Sequence, residues 1–253
     1  MDRAVRDSGL VATSLLAFSA SAAATFTFSR SMPEGMEMPG GWTMSMLWML
    51  IDDSTWPESA AMFLLMWLAM MVTMMLPSAL PMLRNFGRAL DARGLASVGM
   101  PVALAACAYF LVWLAVGGGV YLIGMAIAQA AMQWEAFSRA MPVLSGAALV
   151  VAGCYQFTRW KMAGLHRCRD LLAGIRDGPW AGLRHGLRQG ASCVVSSSGS
   201  MLVLLALGAM NLAVMALVAV FIALEKSVPK PEWVVRLSGL LALGAGTVMI
   251  ARL

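Results

Sequence analysis

Six stretches of this chain, near residues 9–28, 60–82, 100–128, 141–158, 199–224 and 234–251, are each long and apolar enough to cross a lipid bilayer, which takes about 20 residues of helix. Within hydrocarbon every backbone N–H and C=O must bond inside the protein, so such a chain can fold only as a helix bundle or a closed barrel. Stretches of this length predict an all-α polytopic transmembrane bundle of about six spans. Hydrophobic residues make up 60% and charged residues 12%, which excludes an ordinary soluble domain. The longest segment between spans, about 159–198, is too short and too glycine-rich to bury its own core. Residues 1–253 therefore read as a single integral membrane domain.

Orientation follows from the 18 basic residues. With both termini cytoplasmic in a bacterial inner membrane, 13 of them, including Arg84, Arg88, Arg159, Arg184 and Arg188, fall inside. The other 5, Arg30, Arg139, Lys226, Lys230 and Arg236, fall outside. This reading makes 29–58 a periplasmic, acidic, methionine-rich loop and 159–198 a cytoplasmic segment. The formal charge of +5 then reflects topology and requires no nucleic acid. Arg3, Arg6 and the small-residue tract SASAAA also admit a cleaved secretory signal, against a retained first span.

Methionine accounts for 23 of 253 residues. In the second span Met62, Met66, Met70 and Met74 form a drifting stripe, with Met71, Met75 and Met82 nearer the opposite side. A second group, Met32, Met36, Met38, Met44, Met46 and Met49, lies in the outer loop. Thioethers fill irregular cores, but they are also neutral, soft ligands suited to Cu(I). Pro77 and Pro81 should kink the second helix or end it at its cytoplasmic side, with Ser78 close enough to satisfy a freed carbonyl.

Gly174, Gly178, Gly182, Gly186 and Gly190 recur every four residues. As a helix they form a smooth face for another helix or a membrane-protein partner, with Arg184 and Arg188 toward lipid headgroups; as a loop they carry no such face. Asn211 reads as interhelical glue in the fifth span, and Glu225 with Lys226 as its solvated outer end. Trp42, Trp56, Trp134 and Trp233 fit an outer aromatic belt. Two histidines, no paired intramembrane carboxylates, no phosphate loop and no HExxH argue against an enzyme.

Four stretches carry a resemblance: WLAMMVTMMLPSALPML from Trp67, YQFTRWKMAGLHRCRDLL from Tyr155, GLRHGLRQGASCVVSSSG from Gly182 and LGAMNLAVMALVAVFIALEK from Leu207. Together they resemble a bacterial family of predicted metal-binding integral membrane proteins of unknown function. The resemblance implies thiolates at Cys168 and Cys193. It also implies cysteines where this chain has Gly164, Ser196 and Ser197. The candidate metal ligands are thus Met66, Met70, Met71, Met74 and Met75, the loop residues Met36, Met38 and Met44, and Cys168, Cys193 and His185. The expected function is to bind or hand on a soft metal, copper as Cu(I), with loop and second-span sulfurs converging. The alternative is a structural or assembly subunit of a larger membrane complex whose metal site has decayed.

Overall fold

A computed structural model of the protein describes residues 3–31, 35–44, 55–94, 98–170, 178, 180–209 and 211–252. Met32, Met46, Met49 and Gly174 lie outside the described residues. Helix α1 (Arg3–Ser31) is followed by a hairpin of β1 (Met36–Met38) and β2 (Trp42–Met44), then α2 (Trp56–Ala92), α3 (Gly99–Gln133) and α4 (Glu135–Gln156). The short α5 (Arg159–Arg169) leads to α6 (Ala181–Leu207), α7 (Leu212–Ser227) and α8 (Glu232–Ala251). All but α5 and α7 are long and apolar enough to cross a membrane.

A capping box starts α2: the Thr55 N–H donates to Glu58 Oε2 at 2.8 Å, satisfying a backbone donor that no helical carbonyl can reach. Of the two alternatives for Pro77 and Pro81, the helix end is excluded: α2 continues through both to Ala92. Beyond them Ala79, Met82, Leu83, Phe86 and Leu90 are buried against neighbouring helices, and that packing outweighs the lost donors. Ser78 Oγ does donate to the Met75 carbonyl, at 2.8 Å.

Glycines set how closely the helices approach. Of the ladder, Gly182, Gly186 and Gly190 are helical, whereas Gly178 precedes α6 with a φ of +122°; the face of the three is occupied by α3 rather than left for a partner protein. A Cβ on Gly182 would strike the Pro101 carbonyl, one on Gly186 the Ala105 carbonyl, and one on Gly190 would lie 3.1 Å from the Tyr109 carbonyl oxygen. These pairings advance together in sequence, so α3 and α6 run parallel. Helix α2 runs antiparallel to both: Phe86 stacks on His185, and Trp67 Nε1 donates to the Trp113 carbonyl at 2.9 Å above Gly117. Gly146, Gly153, Gly239 and Gly246 bring α4 and α8 together antiparallel.

The stretch expected as a fifth span, 199–224, is two helices. The chain turns at Gly208, whose φ of +104° suits glycine. Asn211 then caps α7 by accepting from Ala213 and Val214 N–H at 3.1 and 3.2 Å. Asn211 is therefore an exposed cap, not buried glue. Helix α7 runs back along α6, bringing Lys226 to the level of Cys193 and Ser78. Helix α8 departs from there toward the end where α3 finishes, and the hairpin that follows α1 docks at that same end through Trp42 Nε1 and the Ser138 carbonyl, 2.9 Å apart. The two termini thus point to opposite ends of the bundle. The reversal moves Lys226, Lys230 and Arg236 toward the end holding Arg84, Arg88, Arg159 and Arg184, which sharpens the charge asymmetry.

Exposed tryptophans mark two levels. Trp56 and Trp134 lie at one end and Trp160 and Trp233 at the other, while Trp180, also exposed, lies beyond the second level at the start of α6; Trp233 thus belongs with Trp160 rather than with the outer belt. Between Trp134 and Trp160 lies α4, whose 22 residues span about 33 Å at 1.5 Å per residue, close to the roughly 30 Å hydrocarbon thickness of a bilayer. By the same rise α2 and α3, with 37 and 35 residues, exceed that thickness and extend beyond the second level. Adjacent glycines test the packing: Gly117→Ala, whose Cβ would strike the Trp67 ring, should lower stability in detergent by about 1–3 kcal/mol. Gly118→Ala, where nothing lies within 4 Å, should leave the thermal midpoint unchanged or raised.

Candidate metal centre

Five helices meet around one sulfur. Helix α6 places Cys193 fully buried on the face that its glycines press against α3. Tyr109 of α3 donates its hydroxyl to Cys193 Sγ at 2.9 Å. Lys226 of α7 donates from Nζ to the same sulfur, also at 2.9 Å, and to Ser78 Oγ at 3.2 Å. Met75 Sδ of α2 and Ser197 Oγ lie 3.9 Å from it, and Cys168 of α5 packs against the same buried cluster. A buried sulfur receiving one cationic and one phenolic donor is the environment that a thiolate requires. Its interaction with Cys193, reinforced by burial, holds the Cys168 thiol well above its ordinary range.

A buried ion pair supports the site from below. Lys161 and Glu225 are 0% and 3% exposed, with Nζ and Oε2 2.6 Å apart. Lys161 also donates to the Ser196 carbonyl at 2.5 Å, and Ser238 donates to Glu225 Oε1 at 3.3 Å. Arg169 closes the end of α7, donating to the carbonyls of Glu225 and Val228 at 3.2 and 2.6 Å, where a cation is favoured by the helix dipole. Glu225 is therefore an interior ion-pair partner, not a solvated helix end. Its carboxylate is engaged by Lys161, which leaves Cys193 as the acceptor for Lys226.

The sequence-derived candidates divide among four places. Met75, Cys168 and Cys193 converge. Met66, Met70, Met71 and Met74 are buried in the same apolar cluster, among Phe63, Trp67 and Phe86. Met38 and Met44 belong to a separate cluster with Ala128 and Ala131, and Met36, paired with Met44 across the hairpin, is exposed. The loop methionines and the second-span sulfurs thus occupy separate cores. His185 stacks on Phe86 with ring centroids 4.4 Å apart and does not join the sulfurs. Among the described residues no group of three His, Cys, Asp or Glu is placed to hold a metal.

At two departures from the resembled pattern the structure shows what the residue present contacts. A Cβ at Gly164 would lie 2.8 Å from Val195 Cγ1, so α5 can approach α6 only with glycine there. Ser196 donates its hydroxyl to the Cys193 carbonyl at 2.9 Å and presents its own carbonyl to Lys161. Tyr109, Lys226, Lys161 and Ser238 were not selected by sequence reasoning. Two signals pointed toward them: the adjacent charged pair Glu225–Lys226 in a run otherwise apolar, and Lys161 within the stretch from Tyr155 that carries the resemblance.

The buried pair yields a testable asymmetry. Lys161→Met or Glu225→Leu alone should cost about 3–5 kcal/mol, because each leaves a buried charge unpaired. The double variant Lys161→Met/Glu225→Leu should recover most of that loss. Thermal unfolding in detergent reads the difference, and additive losses would show that the two side chains do not act as a pair.

Residues 64–249 match the family PpoB2, described as a copper chaperone. That range contains Met75, Cys168, Cys193 and Lys226 and leaves out the methionine hairpin. No curated protein and no solved structure matches the chain.

Proposed function

We propose that this chain, which belongs to the PpoB2 copper chaperone family, carries one Cu(I) as cargo between Cys193, Cys168 and Met75, at the arginine-rich face of a bacterial inner membrane. The observation that carries the reading is the 3.9 Å separation of Cys193 Sγ and Met75 Sδ, with Cys168 packed against the cluster that holds them. Two sulfurs each about 2.3 Å from one metal, the length of a zinc–thiolate bond, are about 4 Å apart when the angle between them is near 120°. The donor set suits a soft ion: two thiols, one thioether, and no carboxylate or imidazole. The match also covers these three residues while leaving out Met36, Met38 and Met44.

Charge supports the same reading. Binding joins Cu⁺ to two thiolates, and any proton still held by the thiols leaves for solvent. The product carries one net negative charge, which Lys226 balances. Between loads, Tyr109 and Lys226 keep the Cys193 sulfur hydrogen-bonded, so the empty site does not strand a buried charge. Met75 is neutral and needs no proton to replace copper, so it is the ligand released most easily in a transfer. The site lies near the level of Trp160 and Trp233 rather than midway between the two tryptophan levels, so copper need not reach the middle of the hydrocarbon.

Titration of purified protein should give one Cu(I) per chain, and X-ray absorption should show sulfur neighbours at about 2.3 Å. Cys193→Ser and Cys168→Ser should each weaken binding by at least about tenfold, equivalent to about 1.4 kcal/mol, with a smaller loss for Met75→Leu and none for Met36→Leu. Cu(I) binding that survives both cysteine variants would contradict this assignment. Absence of binding at micromolar copper would favour a structural or assembly subunit.

A further inference from the structure

We infer that Lys226 is a specificity-determining residue of this site, a fixed positive charge that selects a monovalent over a divalent soft ion. The inference rests on the copper-carrying reading above and adds to it the basis of metal choice. Lys226 reaches the site from α7 with Nζ 2.9 Å from Cys193 Sγ and 3.2 Å from Ser78 Oγ. It is held at the sulfur itself and donates to a ligand, so it must remain within a few Å of any ion bound there. It does not occupy a ligand's place, because an ammonium has donors and no lone pair.

The surroundings prevent that charge from being offset. Glu225, the neighbouring carboxylate, is bonded by Lys161 at 2.6 Å and by Ser238 at 3.3 Å. Lys161 and Glu225 together are neutral, and so contribute no net negative charge to the sulfur site. Ser78, Ser197 and Tyr109 are neutral. Among the described residues, no group of three His, Cys, Asp or Glu supplies further anionic ligands. The balance at the sulfurs is therefore set by two cysteines, Lys226 and the ion. With two thiolates a monovalent ion brings the site to zero, whereas a divalent ion leaves one uncompensated positive charge among buried apolar side chains. An unpaired charge in such surroundings is strongly disfavoured.

Ag(I) and Cd(II) separate charge from softness, since both are thiophilic d¹⁰ ions and they differ by one unit of charge. Competition between them on the full-length protein in detergent, read by metal analysis and ultraviolet sulfur-to-metal absorption, should show Ag(I) bound and Cd(II) excluded. Lys226→Gln should lower the Ag(I)-over-Cd(II) preference by on the order of 100-fold or more, the size of a unit charge a few Å away at an effective dielectric constant of about 20. Lys226→Arg should retain it. An intact protein that takes up Cd(II) as well as Ag(I) would overturn the inference without any variant, and so would a folded Lys226→Gln protein with unchanged preference. Failure of the intact protein to bind either Ag(I) or Cu(I) would overturn the copper-carrying reading itself.

Discussion

The contact between α3 and α6 through Gly182, Gly186 and Gly190 is the constraint on which the sulfur site depends. Side chains at these positions would fill the space now taken by the α3 backbone, and Tyr109 could not then reach Cys193. The same approach sets the position of α6 against which α2, α5 and α7 pack. Met75, Cys168 and Lys226 arrive at one sulfur because three further helices use α6 as their reference. Glycine costs helix stability, and here the offset comes from apolar burial along α2 and α3.

A second requirement, that buried polar groups be paired, accounts for the short helices. Helix α7 returns far enough for Glu225 to meet Lys161 and for Lys226 to meet Cys193. Helix α5 carries Lys161 against the Ser196 carbonyl, which Gly164 permits. The polar cluster is thus closed by contacts among α5, α6, α7 and α8, near one of the two tryptophan levels. That depth lets a cluster with several charges coexist with six helices apolar enough to cross a membrane.

Much of this could be read from residues in order along the chain. Apolar length located α1, α2, α3, α4 and α8, the four-residue glycine spacing pointed to a packed helical face at the start of α6, and Met75, Cys168 and Cys193 stood out by type. What could not be read depended on direction and partners. Gly208 looks like any glycine in an apolar run, yet the turn there divides one expected span into α6 and α7, and that reversal moves the C-terminus to the other end. Glu225 and Lys226 resembled a solvated helix end because the residues they meet, Lys161 and Cys193, are distant in sequence. Pro77 and Pro81 suggested a helix end because the stabilising contacts of Ala79, Met82 and Phe86 come from other helices. The methionine hairpin remained separate from the second-span sulfurs because Met38 and Met44 have their own apolar partners, Ala128 and Ala131.

The most direct test of the account is the position of copper in an experimentally determined structure of the Cu(I)-loaded protein, located by anomalous scattering at the copper edge. The account predicts one peak bounded by the sulfurs of Cys193, Cys168 and Met75, with Lys226 adjacent and not ligating. A peak at Met36 and Met44 of the hairpin, or copper bound without contact to Cys193, would contradict it.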